Sequence, residues 1–271
     1  MVLSTKKFAI LGAGNMGGAL LKGLLTSGAV EPAAVAIHNK RLERTRDLAK
    51  RFGVRAASSN AECVSGADIV ILAVKPQILP KVLEEIGGLA PGSLYVSVAA
   101  GISTQRIEQL LGGTPRVVRA MPNTPALIAE GATGLSAGQF ASEEDLAAAV
   151  AIFEKVGRVS VVDEVHLDAV TGLSGSGPAY VMLIVEAFAD AGVKVGLSRE
   201  IALELAVQTL RGSARLLQET GEHPGKLKDM VTSPGGTAIA GLHTLEEGGL
   251  RTTIMNAVEA ATRRAKELGE G

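Results

Sequence analysis

A short apolar run that ends in a glycine-rich turn constrains the fold of this chain more than any other feature. Residues 8–11 lead directly into Gly12-Ala13-Gly14-Asn15-Met16-Gly17, and a helical pattern follows. In a G-x-G-x-x-G turn the first glycine allows a tight turn, the second lets a pyrophosphate approach the backbone, and the third lets the helix pack on the strand. The spacing therefore predicts a dinucleotide site at the start of that helix. A glycine turn that serves packing alone is the alternative.

The first 160 or so residues alternate short apolar runs with helical patterns. The apolar runs, rich in Val, Ile and Ala, are residues 8–11, 35–38, 69–74, 94–99 and 117–121. The stretches with helical spacing are residues 16–27, 42–52 and 102–111. Such alternation is typical of βαβ units. It predicts a Rossmann-type α/β domain over residues 1–164, with a mostly parallel sheet and helices on both faces.

After about Val165 the strand patterns give way to helical ones. A run that opens at Pro178 has apolar residues at helical spacing, and Gly192 and Gly196 are predicted to end it. Further helices are predicted over residues 199–217, 238–247 and 251–268. The sequence therefore predicts an all-helical domain over residues 165–271, which we expect to bind the substrate and to form a dimer through its apolar helices.

Composition restricts the partners and the compartment. A net charge of −1 and few aromatic residues argue against nucleic acid as a partner. The single cysteine, Cys63, indicates an inert core thiol in a reducing compartment. No stretch reaches the ~18 apolar residues of a membrane helix, and Met1–Lys7 lacks the pattern of a signal peptide. We therefore expect a cytoplasmic protein without membrane association, and no metal site, because the histidines are scattered.

The end of the second predicted strand bears on which dinucleotide is bound. An NAD-binding domain usually has Asp or Glu about 20 residues beyond the glycines, whereas this chain has His38-Asn39-Lys40-Arg41. Lys40 and Arg41 suit the 2′-phosphate of NADPH. We expect NADPH as the cofactor, with NADH as a second possibility. The alternative is that both are solvated basic residues that open the next helix.

Two further predicted strands end in small residues. They are followed by Ala73-Val74-Lys75-Pro76 and by Ala99-Ala100-Gly101. Because the carboxyl ends of parallel strands line the ligand crevice, small residues there leave room for a nicotinamide ribose. Lys75 is open to two interpretations, a catalytic residue or a charged residue that caps a strand, and the second is the commoner case.

Two glycine–serine segments in the second half are candidates for a ligand site. Residues 171–178 precede the first long helix, with Ser176 as a candidate N-cap, and residues 232–237 precede another helical stretch. Each is predicted to be a loop whose free backbone N–H groups and hydroxyls suit a carboxylate or a phosphate. Ordinary helix capping is the alternative for either segment.

At this point the residues resemble the pyrroline-5-carboxylate reductase family, along nearly the whole chain. Besides the first turn, the resemblance rests on Ala73-Val74-Lys75-Pro76-Gln77, Ser97-Val98-Ala99-Ala100-Gly101-Ile102, Arg119-Ala120-Met121-Pro122-Asn123-Thr124-Pro125 and Gly175-Ser176-Gly177-Pro178-Ala179-Tyr180. The most specific segment is Leu227-Lys228-Asp229-Met230-Val231-Thr232-Ser233-Pro234-Gly235-Gly236-Thr237, which looks like the family's signature loop.

The resemblance implies that the chain reduces 1-pyrroline-5-carboxylate to L-proline by hydride transfer from NAD(P)H, the last step of proline biosynthesis. It also implies that the loop Ser233–Thr237 holds the substrate carboxylate across the interface of a homodimer or a larger homo-oligomer, with Met121 and Asn123 near the nicotinamide. The cofactor-binding residues that it implies are Gly12, Ala13, Gly14, Asn15, Met16, Gly17, Asn39, Lys40, Arg41, Asn60, Ala73, Val74, Lys75, Pro76, Ala99, Ala100, Gly101, Met121 and Asn123.

Thr237 and Ser233 are the predicted catalytic residues, and the predicted substrate-binding residues are Ser176, Ser233, Gly235, Gly236 and Thr237. The family often has a second threonine after this one, whereas Thr237 is followed by Ala238, so a role of that second hydroxyl does not transfer. A cyclic imine is substantially protonated near neutrality, so the protein mainly has to orient the two reactants. Water or Thr237 is then expected to supply the proton on the ring nitrogen.

Two other functions are compatible with the first turn. A 3-hydroxyacid dehydrogenase would need a lysine or histidine early in the first helix of the second half, where the chain has Ala179, Tyr180, Val181 and Met182 and no lysine before Lys194. A non-catalytic dinucleotide sensor would keep the turn but would have little need for the Ser233–Thr237 loop. The ring size of the imine and the size of the oligomer are left open.

Overall fold

A computed structural model of the protein describes residues 3–270. Met1, Val2 and Gly271, the ends of the two predicted domains, lie outside the described residues. The chain divides into two compact units, of which the first comprises Met1–Ser176 with Ala260–Gly271 and the second comprises Gly177–Glu259. The end of the last helix therefore belongs to the first unit. Within the described residues, no helix is long and apolar enough to cross a membrane.

The first unit is built on one eight-stranded sheet. Its strands are β1 (Phe8–Leu11), β2 (Val35–His38), β3 (Arg55–Ala56), β4 (Ile69–Leu72), β5 (Leu94–Ser97), β6 (Arg116–Met121), β7 (Gly131–Ala137) and β8 (Gly157–Val161). The strands lie in the order β3-β2-β1-β4-β5-β6-β7-β8. Among the strand pairs within residues 3–270, only β6–β7 is antiparallel. The predicted Rossmann-type, mostly parallel sheet is confirmed.

Helices cover both faces of this sheet. They are α1 (Asn15–Thr26), α2 (Leu42–Phe52), α3 (Asn60–Val64), α4 (Leu79–Ile86), α5 (Thr104–Leu111), α6 (Glu143–Phe153) and α7 (Leu167–Val170). Along β1 the side chains alternate between two separate cores, because successive residues of a strand point to opposite faces. Phe8 and Ile10 pack in the core that contains α1 and α6 residues. Ala9 and Leu11 pack in the core that contains α3, α4 and α5 residues.

Three of the eight strands, β3, β7 and β8, are absent from the prediction. Glycine explains β7 and β8, since it is depleted in strands and blurs the alternation of apolar residues. Gly131 and Gly157 are paired in register. A Cβ on Gly157 would lie 2.0 Å from the carbonyl oxygen of Gly131. This pair of strands therefore depends on glycine for its close approach, a requirement that apolar periodicity does not reveal.

The second unit is helical throughout. It contains α8 (Gly177–Lys194), α9 (Arg199–Thr220), α10 (Pro224–Met230), α11 (Thr237–Glu247) and the first part of α12 (Leu250–Glu270). After β8 the chain forms only helical elements over the described residues, as predicted. The prediction that Gly192 ends the first long helix is wrong, because this glycine lies inside α8 and lets it approach α9. A Cβ there would lie 2.7 Å from that of Ala202, whereas Gly196, with φ of 104°, follows the end of α8.

Candidate active site

The glycine turn between β1 and α1 has two glycines that tolerate no side chain and one that faces open space. Gly12 has φ of +91°, and a Cβ there would lie 2.5 Å from the carbonyl oxygen of Ala73. A Cβ on Gly17 would lie 2.4 Å from the carbonyl oxygen of Gly12. At Gly14 the nearest atom would be 3.9 Å away. The first and third glycines hold the turn against β4 and α1, and the second leaves the backbone open to a ligand.

A cleft of about 710 Å³ opens beside this turn. Its volume lies in the range of about 300–1,000 Å³ that is usual for cofactor pockets. The residues that line it are Gly12, Gly14, His38, Asn39, Lys40, Arg41, Arg44, Asn60, Ala73, Val74, Lys75, Gln77, Ile78, Lys81, Val82 and Glu85. Five of them are cations and one is an acid, so the cleft favours an anionic ligand.

The wall that follows β2 carries three of the cations, Lys40, Arg41 and Arg44. Arg44 lies in the first turn of α2 and reaches back to the glycine turn. Its Nε donates to the carbonyl oxygen of Ala13 at 3.0 Å and its guanidinium donates to the side-chain oxygen of Asn15 at 3.4 Å. These two contacts fix the guanidinium beside the start of α1, where an arginine fork can also bind a phosphate. The prediction did not include Arg44.

The opposite wall of the cleft is one face of α4 and the short turn before it. Gln77, Ile78, Lys81, Val82 and Glu85 all line the cleft, at the spacing of a helical face. The side-chain nitrogen of Asn60, at the start of α3, donates to one carboxylate oxygen of Glu85 at 2.6 Å. None of these five residues was among the predicted site residues, because no helix was predicted over this stretch.

The ends of β4 and β5 complete this edge of the sheet. Ala73, Val74 and Lys75 line the cleft. Ala99–Gly101 follow β5, where Ala99 is buried and Gly101 has φ of +76°. A Cβ on Gly269, near the end of α12, would lie 2.5 Å from the carbonyl oxygen of Gly101. The last turns of α12 therefore pack directly on the loop where the nicotinamide ribose was predicted, and glycine on both sides permits that contact.

Asn123, just after β6, makes two structural hydrogen bonds. Its side-chain nitrogen donates to the carbonyl oxygen of Ser174 at 3.0 Å, and its side-chain oxygen accepts from the backbone N–H of Ala132 at 2.8 Å. A Cβ on Gly175 would lie 2.8 Å from the Met121 methyl carbon. The end of β6 is thus tied to residues 174–175 by direct contact.

The segment 171–175 is a π-helical turn and not the open loop that was predicted. It continues α7, so its N–H groups are largely used within the helix. Ser176 does not cap a helix start, because its own N–H donates to the carbonyl oxygen of Thr171 at 2.8 Å and its backbone angles are helical. The glycines and serines suggested a loop, but they are accommodated here by a widened helical turn. Such π turns are frequent at functional sites.

A buried arginine connects β6 to α5 and α7. Arg119, with 6% of its side chain exposed, contacts the carboxylates of Glu164 at 3.4 Å and Asp168 at 3.2 Å. The Glu164 carboxylate also accepts from the backbone N–H and the hydroxyl of Thr104, at 2.7 and 2.6 Å. This network holds the base of the segment that carries the π turn.

In the second unit the predicted substrate loop forms a tight turn before α11. The N–H of Gly236 donates to the carbonyl oxygen of Ser233 at 3.0 Å, and Gly235 has φ of +66°. Proline at the second position and glycine at the third are typical of a type II turn. Gly236 precedes α11 and contributes no side-chain cap. The first N–H groups of α11 therefore have no side-chain acceptor at the helix cap.

Within residues 3–270, neither Cys63 nor a cluster of acidic and histidine side chains forms a second reactive or metal-binding site. Burial raises the pKa of the Cys63 thiol to about 12. The side chain is an inert neutral thiol in the core, as the sequence indicated. Searched over residues 3–270, no group of three or more His, Cys, Asp or Glu side chains could hold a metal ion.

Known proteins are similar in sequence to this chain over nearly its whole length. The sequence is 47% identical over 267 residues to a pyrroline-5-carboxylate reductase of Arabidopsis thaliana, covering 97% of this chain and 96% of that protein. The chain belongs to the pyrroline-5-carboxylate reductase family. Two family patterns match it, "Pyrroline-5-carboxylate reductase dimerisation" over residues 164–268 and "NADP oxidoreductase coenzyme F420-dependent" over residues 7–101.

Solved structures of reductases from this family have the same fold. The structure of a Coxiella burnetii pyrroline-5-carboxylate reductase is similar with a TM-score of 0.93 at 38% identity, covering 98% of this chain and 99% of the other. A Plasmodium falciparum pyrroline carboxylate reductase, solved with NADP bound, is similar with a TM-score of 0.88 at 33% identity, with the same coverage.

The predicted cofactor residues of this reductase-family chain fall into two groups. Those that line the cleft are Gly12, Gly14, Asn39, Lys40, Arg41, Asn60, Ala73, Val74 and Lys75. Those that do not line it are Ala13, Asn15, Met16, Gly17, Pro76, Ala99, Ala100, Gly101, Met121 and Asn123. Arg44 follows the predicted basic pair within the first turn of α2, but the sequence carries no local signal for its contact with the glycine turn.

Proposed function

We propose that this protein reduces 1-pyrroline-5-carboxylate to L-proline with a hydride from NAD(P)H, the last step of proline biosynthesis. The observation that carries the proposal is a cationic cleft beside the Gly12–Gly17 turn, in a chain similar over nearly its full length to pyrroline-5-carboxylate reductases. When bound, the dinucleotide supplies the hydride.

NADPH is the preferred cofactor in this proposal, with NADH as a second donor. Gly14 would admit the pyrophosphate to the backbone at the start of α1, where N–H groups and the helix dipole favour an anion. Lys40, Arg41 and Arg44, which line the cleft of about 710 Å³, would bind the 2′-phosphate. Small residues after β4 and β5 would leave space for the nicotinamide ribose.

The substrate carboxylate is proposed to bind at the Ser233–Thr237 loop. The N–H groups at the start of α11 have no side-chain cap and suit a carboxylate. The proposed contacts are Thr237, the first residue of α11, and the residues of the preceding turn, Ser233, Gly235 and Gly236. Ser176, at the end of the π turn, is the further substrate contact. Anchoring the carboxylate orients the ring, which is the main catalytic requirement for a reactive iminium carbon.

The proton on the ring nitrogen needs no strong acid in this mechanism, because the imine is protonated near neutrality before reduction. Thr237 and Ser233 are the proposed catalytic residues, as hydroxyls that hold the substrate and can settle that proton. Ala238 follows Thr237, so a second side-chain hydroxyl is absent from that position and water is the other proton carrier.

We also propose that the second half of the chain, residues 165–271, binds substrate and forms a homodimer or a larger homo-oligomer, while residues 1–164 bind the dinucleotide. The buried apolar residues of the second unit are three alanines, Ala189, Ala202 and Ala206. Many of its large apolar residues are instead exposed, among them Met182, Leu183, Val195, Leu205, Met230, Val231 and Met255. A second copy would bury such a surface. A cytoplasmic location is proposed from the single reduced cysteine.

The experiment is a matrix of activities with purified protein, two donors and two cyclic imine carboxylates that differ in ring size. We expect NADPH absorbance to fall on addition of pyrroline-5-carboxylate. Binding of the dinucleotide without turnover of either imine would favour a sensor and overturn the proposal.

The substrate loop is tested with Thr237→Val, which removes the hydroxyl at nearly constant volume. Loss of a hydrogen bond to a charged group, about 1.5–3 kcal/mol, should raise the KM for the imine by about 10- to 100-fold. Thr252→Val, at an exposed position of α12, is the matched control and should leave it unchanged. If both KM and kcat were unchanged in Thr237→Val, this hydroxyl would have no place in the site.

A further inference from the structure

The acid on the α4 wall of the cofactor cleft has no role in the reaction described above. Glu85 is the only acid among the residues that line the cleft, and it shares the cleft with the cations of Lys40, Arg41, Arg44, Lys75 and Lys81. A carboxylate there works against the binding of phosphates. Its position therefore indicates contact with a part of the ligand that carries hydrogen-bond donors.

Glu85 is oriented by its contact with Asn60. The Asn60 amide nitrogen donates to one carboxylate oxygen at 2.6 Å, and within residues 3–270 the other carboxylate oxygen has no protein donor. The Asn60 side-chain oxygen is likewise an acceptor without a protein donor over the same residues. Two acceptors are thus presented together at this point of the cleft wall.

The adenine base of a bound dinucleotide would lie near these acceptors. The pyrophosphate is proposed to bind at Gly14, and the 2′-phosphate at Lys40 and Arg41. The base is attached to the same ribose as the 2′-phosphate, so it would lie beside these two residues, and the α4 wall is the apolar side of the cleft that is left for it. That wall offers Ile78, which is 44% exposed, and Val82 as an apolar surface for the base. Glu85 follows Val82 by one helical turn and Ile78 by two, on the side of α4 that lines the cleft.

We propose that Glu85, oriented by Asn60, recognises the exocyclic amine of the nucleobase and selects an adenine dinucleotide over one with an oxo group at that position. The two N–H donors of an amine match two acceptors, whereas an oxo group would place a lone pair against a carboxylate. The inference rests on the proposed function, because it assumes that the cleft binds NADPH.

The test compares the binding of NADPH with that of its deaminated analogue, in which hypoxanthine replaces adenine. Affinity is measured from the fluorescence of the dihydronicotinamide, since the protein contains no tryptophan. We expect the wild type to prefer NADPH by about tenfold. Glu85→Gln keeps the shape and can still accept from Asn60, but its new amide nitrogen turns a donor towards the base. It should lower that preference at least about fivefold.

Glu84→Gln is the matched control, because Glu84 is exposed on the same helix and does not line the cleft. It removes the same charge and should leave the preference unchanged. A wild type without preference would overturn the inference, as would a Glu85→Gln variant that loses affinity equally for both dinucleotides. The second outcome would make Glu85 only a structural link between α3 and α4. Because the readout is binding, a protein that discriminates the bases without reducing pyrroline-5-carboxylate would refute the proposed function alone.

Discussion

Glycine-to-alanine substitutions at three positions of the first turn and helix can distinguish an effect on ligand binding from an effect on folding. Gly14 has φ of −77°, which other residues adopt, and a Cβ there would have no protein atom nearer than 3.9 Å. Gly17 would place its Cβ 2.4 Å from a carbonyl oxygen, well inside contact distance. Gly18 is helical with nothing within 4 Å. We predict that Gly14→Ala weakens cofactor binding without destabilising the fold. Gly17→Ala should destabilise the fold, and Gly18→Ala should do neither.

The magnitudes follow from these contacts. The methyl of Gly14→Ala occupies the space through which a pyrophosphate reaches the backbone, and the loss of one charge-assisted hydrogen bond costs about 1.5–3 kcal/mol. The affinity for NADPH should therefore fall by about 10- to 100-fold. Overpacking in Gly17→Ala costs about 1–3 kcal/mol. In a chain of this size that lowers the Tm by about 2–6 °C. Gly18→Ala should raise stability by about 0.5–1 kcal/mol, because alanine is the better helix former.

The assay is a pair of measurements on each variant, thermal unfolding without ligand and titration with NADPH. We expect Gly14→Ala to melt like the wild type and to bind weakly, and Gly17→Ala to melt early. If Gly14→Ala binds NADPH with unchanged affinity, the pyrophosphate does not approach that backbone and the assignment of the turn is wrong. If Gly14→Ala melts several degrees early, the open space around it has been misjudged.

Three further predictions concern other residues of the first unit. Arg44→Ala should lower the affinity for NADPH by about 10- to 100-fold and the affinity for NADH much less. If titrations show an equal loss of affinity for both dinucleotides, Arg44 only supports the glycine turn. Arg119→Met should lower the free energy of unfolding by about 3 kcal/mol, because Glu164 and Asp168 lose their buried partner; a loss below about 1 kcal/mol in urea titrations would contradict the buried network. Cys63 has its pKa raised to about 12 in the folded state, so its stabilising contribution is complete below the unfolded pKa of about 8.5 and is lost as pH rises towards 12. Unfolding at pH 7 and 9.5 should therefore show a steeper loss in the wild type than in Cys63→Ala.

Apolar periodicity in the sequence predicted five strands and most of the helices, because those residues alternate between the two cores or repeat at helical spacing. It missed short elements such as β3 and α4, and it also failed where glycine makes the contact. Gly131 and Gly157 bring β7 and β8 together, and Gly192 lies inside α8 against Ala202. At each of these positions the missing side chain is the structural requirement, and a missing side chain leaves no apolar signal. A pattern of turn residues is the same whether the backbone turns, bulges or packs closely.

The candidate site could be predicted where one local segment supplies it and not where several segments meet. The Gly12–Gly17 turn is self-contained, so its spacing alone located the cleft. Arg44 and Glu85 line that cleft from two different helices, and their relation to the turn depends on how α2 and α4 pack.

The π turn at 171–175 shows the same limit from the other side. Its glycines and serines have loop composition, yet the chain there remains helical because the contact with Asn123 and the network around Arg119 hold α7 and β6 together. Tertiary contacts decided between loop and helix for a segment whose local preference is weak. The residues that read as free hydrogen-bond donors in the sequence are therefore mostly used within the helix, and the substrate contact proposed for this segment reduces to Ser176. The carboxylate site then depends chiefly on the Ser233–Thr237 turn, which makes Thr237→Val the decisive test of the proposed substrate site.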